Sequence, residues 1–196
     1  MAEEKINYSE TLNLPVTEFP MRGNLPENEP KIQASVLENG LYEKMLKKNE
    51  GNEPYVLHDG PPYANGNMHI GHSLNKILKD IIVRYKNMDG YYAPIIHGWD
   101  THGMPIEVAL QKKGLSTKNM SVADFRKKCE EFALKQVKVQ RGQIQRLGIW
   151  GSFGSEDGLL DETDNNRPYL TLQKQFEAKQ IEVFAKMALD GHIYKG

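Results

Sequence analysis

The chain has 196 residues, with 25 Lys and Arg against 26 Asp and Glu and a net charge of −1. That length suffices for one domain with a sizeable core, and the balanced charge carries no overall polyanion-binding signature. No run of twenty apolar residues exists, so no segment reads as a membrane span, and Cys129 stands alone, which excludes an internal disulfide and a cysteine-based zinc cluster.

In chain order, residues 1–13 are polar and acidic and lack the apolar core of a signal peptide. A cytoplasmic protein is the simplest inference. Residues 1–31 hold Pro15, Pro20, Pro26 and Pro30 and read as an irregular arm. A short helix is expected over 32–49, with Val36, Leu37, Leu41, Met45 and Leu46 apolar and Gly40 as its weak point. Residues 55–57 are apolar and β-prone. A loop rich in Gly, Pro and Asn follows, and then His69-Ile70-Gly71-His72. Leu74, Ile77, Leu78, Ile81, Ile82 and Tyr85 recur at helical spacing, with Lys76, Lys79, Asp80 and Arg84 opposite. This predicts a helix with one buried apolar stripe, ending near Gly90. Residues 91–96 read as a second strand, weakened by Pro94.

Strand, helix and strand within about forty residues form a parallel crossover unit. Ligands in such sheets bind outside the carboxyl ends of the strands. The loops 59–68 and 97–105 are therefore expected to face each other across one crevice. Further on, Pro105 opens a short helix that Gly114 stops. Ser121 and Asp124 resemble a capping box ahead of a long helix. Its stripe is Val122, Phe125, Cys129, Phe132, Ala133, Val137, Ile144 and Leu147. Residues 151–167 form an acidic loop, and helical spacing returns from Leu172 to Ala188, closed by Gly191. The domain reading is an arm with a short helix over 1–50 and an α/β unit over 51–196.

The chemistry concentrates at His69 and His72. A helix N-terminus offers unpaired N–H donors and partial positive charge, which suits a phosphate. Two imidazoles there can donate to phosphate oxygens whose charge grows in a transition state. The bland alternative is a pair of polar surface histidines at a helix start, and the next is a shared metal ion, since imidazoles one turn apart can hold one. Asp100 reads either as a turn aspartate beside glycine or as a carboxylate receiving an ammonium group. Residues 111–146 carry ten Lys and Arg against three Asp and Glu. They read as a solvated helix face or as a surface for a polyanion such as RNA.

These residues resemble the class I aminoacyl-tRNA synthetases, and among them the isoleucine branch. His69-Ile70-Gly71-His72 matches the family's first signature. Pro61-Pro62-Tyr63-Ala64-Asn65-Gly66-Asn67-Met68, the block from Gly98-Trp99-Asp100 to Glu107, Phe19-Pro20-Met21-Arg22 and Ile193-Tyr194-Lys195-Gly196 are similar as well. The resemblance implies an α/β fold, the first half of a Rossmann-like nucleotide-binding domain with parallel strands and crossover helices. It implies that isoleucine and ATP, with Mg2+, give isoleucyl-adenylate and pyrophosphate, followed by transfer to tRNA(Ile). It further implies that His69 and His72 stabilise the α-phosphate transition state, and that Gly71 lies beneath the adenine. Asn65 is expected near the nucleotide, Asp100 at the substrate ammonium, and Gly60 and Pro61 at the side-chain pocket.

The family's second signature, Lys-Met-Ser-Lys-Ser, is missing; Lys118-Asn119-Met120-Ser121 is a partial look-alike in the wrong place. The editing insertion, the anticodon-binding helices and the zinc-binding region are missing too. His97 stands where the family usually has proline, and the acidic loop is longer than usual. The expectation is an N-terminal fragment of a longer synthetase, whose remainder is its partner. A catalytically inactive nucleotide-binding module derived from a synthetase is the alternative, and a small nucleotidyltransferase is disfavoured by residues 98–107.

Overall fold

A computed structural model describes residues 7–13, 17–18, 20, 22–154, 159–160 and 167–196. Pro15, Phe19, Met21 and the acids Glu156, Asp157, Asp161, Glu162 and Asp164 lie outside the described residues. The first long helix, α1, spans Leu25–Glu38 and begins earlier than the prolines suggested. Pro26 sits in its first turn, where the missing N–H has no intrahelical partner to lose, and Pro30 is accommodated further in. The single helix expected over 32–49 is instead the end of α1 plus α2, Leu41–Lys48. The break falls at Gly40, whose φ of 55° reverses the chain in a conformation that costs most residues strain. Tyr42 of α2 is buried, and its hydroxyl donates to the Ile95 carbonyl at 3.2 Å and accepts from the Ile95 N–H at 3.1 Å. That pair of bonds fastens α2 to the centre of the domain.

The centre is an extended segment over 92–100. On one side it pairs with residues 54 and 63, through Pro54 opposite Tyr92 and Tyr63 opposite Asp100. On the other, Ile96 meets Ser152, and β1 (Gly98–Trp99) pairs with β2 (Tyr169–Leu170). Every pairing is parallel, as the crossover reading requires. The ladders are short, and residues 55–57 form no continuous strand. Pro94 supplies no N–H between the bridges at Tyr92 and Ile96. At Gly98 the backbone passes directly under the Tyr169 ring, and a Cβ there would overlap it.

Two helices cross over between the central segment and residue 152. The first, α4, spans Met104–Gln111, and the second, α5, spans Val122–Arg146. Ser121 caps α5, accepting the Asp124 N–H at 3.1 Å and donating to the Asp124 carboxylate at 2.6 Å. Phe125, Phe132, Ala133, Val137 and Ile144 pack with Trp99, Ile106 and Leu170 into the main core. Val122 and Leu147, at the ends of the expected stripe, stay exposed.

The helix after the histidines, α3, spans Ile70–Met88. Its orientation overturns the expectation of a buried apolar stripe. Leu74, Ile77, Leu78, Ile81, Ile82 and Tyr85 are 39–60% exposed. The face turned inward carries Lys76, Asp80, Val83 and Asn87, and its polar groups are paired. Lys76 meets Asp59, Asp80 accepts the Trp150 N–H at 3.0 Å, and Asn87 donates to the Val83 and Ala93 carbonyls. Asn49 reaches the Asn87 carbonyl at 2.7 Å. Because those groups find partners, the polar face can pack, and the apolar face is left in water. Leaving six such side chains half-exposed forgoes on the order of 5–10 kcal/mol of burial, comparable with the stability of a whole domain. The last helix, α6 (Lys174–Leu189), likewise presents Ile181, Val183, Phe184 and Met187 to solvent. Among the described residues, no helix is long and apolar enough to cross a membrane.

Candidate active site

His69 is the N-cap of α3 and His72 is its third residue. The His72 N–H donates to His69 Nδ1 and the His69 N–H donates to His72 Nδ1, both at 3.4 Å, a capping box built from two imidazoles. The rings stack at 3.7 Å between centroids and 18° between planes. A ring nitrogen that accepts a hydrogen bond carries no proton, so each ring holds its proton on Nε2, free to donate outward. Burial, then the neighbouring His69 and Lys76, hold His72 below the usual imidazole range. At neutral pH it is a neutral N–H donor rather than a cation. Gly71 is exposed between them, and a Cβ there would stand 3.1 Å from the His69 ring. Glycine keeps that ring in its stacked position.

The loop before α3 lies against the end of the central segment. The Asp100 N–H donates to the Pro62 carbonyl and the Ala64 N–H donates to the Asp100 carbonyl, both at 2.9 Å. The two predicted loops are thus brought together, and Gly60 and Pro61 immediately precede Pro62 at this junction. Asp100 Oδ1 accepts the His102 N–H at 3.3 Å and approaches the Thr171 hydroxyl at 3.5 Å, so the turn reading of Asp100 is realised at one carboxylate oxygen. Asn65 is exposed at the loop tip and lines an open cleft with Gly66, Met104, Pro105, Val108 and Phe132. Neither His69 nor His72 lines that cleft. Among the described residues, no group of three or more His, Cys, Asp or Glu could hold a metal ion.

Four supports escaped the sequence reading. Gln140 is buried in α5, accepts the Trp99 indole N–H at 2.9 Å and donates to the carbonyls of Tyr63 and Gly66. Gln143 accepts the Met68 N–H at 2.9 Å. Thr171 accepts the Thr101 N–H at 2.9 Å. The fourth is the cluster of Asp59 with Lys76 and Lys79. The glutamines broke the apolar pattern of α5 on its inward side, and that break was their only trace in the sequence.

His97 is 1% exposed, stacks on Phe153 at 4.4 Å and donates from Nε2 to the Trp150 carbonyl at 3.0 Å. Its Nδ1 has no partner among the described residues. Burial, helped by Lys76, lowers its pKa from 6.5 to about 4, against the opposing pull of the Trp150 carbonyl and Asp59. The folded state therefore binds fewer protons than the unfolded chain between those values. The contribution of neutral His97 is intact above pH 6.5 and is lost as pH falls towards 4. Between pH 7.5 and 5, wild type is expected to lose about 2 kcal/mol more stability than His97→Gln. Urea unfolding of both proteins at both pH values checks it, and equal losses would dismiss the buried neutral imidazole.

The fold and the histidine-capped helix define a class. The chain belongs to the class I tRNA synthetases of the I, L, M and V group, whose family model matches residues 31–196. It is 56% identical over 191 residues to the isoleucine–tRNA ligase of Staphylococcus haemolyticus, and equally so to that of Macrococcus caseolyticus. The match covers 97% of this chain and 20% of each relative, so the chain spans about a fifth of the length of these curated relatives. Among solved structures, the agnB2 LeuRS of Agrobacterium radiobacter K84, in a ternary complex with tRNA and LeuAMS, superposes with a TM-score of 0.64. That likeness covers 88% of this chain and 19% of that one at 18% identity, and it shows the fold.

Proposed function

We propose that this chain is the amino-terminal part of the catalytic domain of an isoleucine–tRNA ligase. The full protein joins isoleucine to ATP, releasing pyrophosphate, and passes the isoleucyl group from the adenylate to tRNA(Ile). Residues 51–196 supply one half of the nucleotide-binding domain, preceded by an amino-terminal segment that carries α1 and α2. The observation that carries the reading is the His69–His72 pair at the α3 N-terminus, each ring accepting a backbone N–H at Nδ1, which leaves Nε2 as the donor. The identity to isoleucine–tRNA ligases over nearly the whole chain supports the choice of amino acid.

In this reading the isoleucine carboxylate attacks the α-phosphorus of ATP, and charge builds on the phosphate oxygens as pyrophosphate leaves. His69 and His72 donate from Nε2 to those oxygens, and the N-terminus of α3 adds its own partial charge. Gly71 lets the adenine approach the backbone, and Asn65 lies near the nucleotide. Asp100 holds the ammonium group, and Gly60 and Pro61 wall the side chain. Mg2+ arrives with ATP as part of the substrate. The setting is cytoplasmic, with ATP and tRNA at hand.

Isoleucine-dependent ATP–pyrophosphate exchange by the full-length protein tests the reading. Absence of exchange would refute it and favour an inactive nucleotide-binding module, and exchange no better with isoleucine than with an unrelated amino acid would refute the choice of isoleucine. Asp100→Asn sharpens the test. Loss of a charge-assisted bond to the ammonium is expected to raise KM about 10–100-fold for isoleucine and valine alike. A loss confined to isoleucine would move Asp100 to the side-chain pocket.

A further inference from the structure

Asp59 ends the first extended segment and immediately precedes Gly60 and Pro61. Its side chain is 3% exposed and accepts hydrogen bonds from the ammonium groups of Lys76 and Lys79, both on α3. Lys76 is itself 4% exposed, and Lys79 approaches at 2.5 Å. Burial by itself would raise the Asp59 carboxyl, but the two lysines outweigh it and hold it below the usual carboxylate range. The Asp59 backbone carbonyl accepts the Tyr169 hydroxyl at 3.4 Å. Tyr169 belongs to β2, which pairs with the segment leading into Asp100. One residue is therefore tied to the helix that carries the histidines and to the strands that carry Asp100.

A buried ion cluster is weak evidence for stability, because well-packed apolar groups of similar volume stabilise a fold at least as well. It does specify geometry. Two cations one turn apart on α3, meeting one carboxylate at a loop end, define both the axial position and the rotation of the helix. Apolar contact alone would leave both softer. Lys76 lies one turn beyond His72, so the cluster acts at the catalytic end of α3.

We propose that Asp59 is a positioning residue for adenylate formation: through Lys76 and Lys79 it holds the His69–His72 pair in register with Gly60, Pro61 and Asp100. The proposal rests on the reading of this site as an adenylate-forming one. In-line displacement at phosphorus needs both reactants placed closely, and a shift of about 1 Å can cost about 10²-fold in rate.

The test is isoleucine-dependent ATP–pyrophosphate exchange by the full-length protein and its Asp59→Asn variant. Asparagine keeps the size and removes the charge. The expected result is a kcat lowered about 10²-fold, with KM for ATP and for isoleucine within about threefold of wild type. His72→Ala, made in both backgrounds, supplies the readout that a merely structural role would not move. It is expected to cost less than about tenfold in Asp59→Asn protein, because a misplaced imidazole has little left to lose. An unchanged kcat in the folded variant, or an undiminished cost of His72→Ala, would overturn the proposal. Should Asp59→Asn fail to fold, Lys79→Gln, which leaves the Lys76 contact in place, is expected to show the same pattern at about tenfold; its absence there would also overturn it. No isoleucine-dependent exchange by wild type would instead bring down the reading of the site itself.

Discussion

His72→Ala in the full-length protein is expected to lower the rate of isoleucyl-adenylate formation by about 10²–10³ while weakening ATP binding far less. The size follows from what the side chain does. A neutral Nε2–H aimed at oxygens whose charge is still growing contributes mainly at the transition state. Burial and the neighbouring His69 and Lys76 depress the His72 pKa, so the imidazole is an N–H donor across the physiological range. The loss should therefore vary little with pH above 7. Single-turnover adenylate formation at saturating ATP measures it. A large loss of ATP affinity with an unchanged chemical rate would make the histidines ground-state binders instead.

Residues 1–196 on their own are expected to catalyse isoleucine-dependent ATP–pyrophosphate exchange at least 10²-fold more slowly than the full-length protein. Removing one preorganised donor commonly costs about 10²–10³ in rate. The resemblance to the class I synthetases assigns a second, lysine-bearing signature that this sequence lacks. The exposed apolar face of α3 gives an independent reason. A contiguous patch of Leu78, Ile81, Ile82 and Tyr85 in water invites association. Leu78→Glu with Ile81→Glu is therefore expected to make residues 1–196 more soluble. The same pair in the full-length protein is expected to lower the yield of folded enzyme, because there the face would be covered. Exchange within about tenfold of full length, or a full-length protein indifferent to the two glutamates, would mean that this half holds nearly all the machinery and needs no cover.

Local chemistry had already written several elements into the sequence. Ser121 and Asp124 mark the start of α5 because a hydroxyl can satisfy an orphan N–H within four residues. Pro105 opens α4, and the histidines stand at the start of α3, for equally local reasons. The facing of loops 59–68 and 97–105 followed from parallel pairing, which admits only one end for both. The resemblance of His69-Ile70-Gly71-His72 and its neighbours to a known family needed nothing beyond residue identity.

Long-range pairing decided the rest. The prolines of the arm suggested irregular chain, yet α1 accepts Pro26 in its first turn, where no backbone bond is lost, and carries Pro30 inside the helix at the cost of one. Hydrophobic periodicity located α3 but misjudged its orientation. Periodicity reports that a helix has two faces, and not which one its own domain will cover. Lys76, Asp80 and Asn87 turn inward only because Asp59, the Trp150 N–H and the Ala93 carbonyl, 6 to 70 residues away, await them. The partners of Gln140 and Gln143 are equally invisible until α5 is laid across the loop before His69. A polar side chain reveals its partner only when the chain is folded, because its hydrogen bond is directional and its partner is distant in sequence.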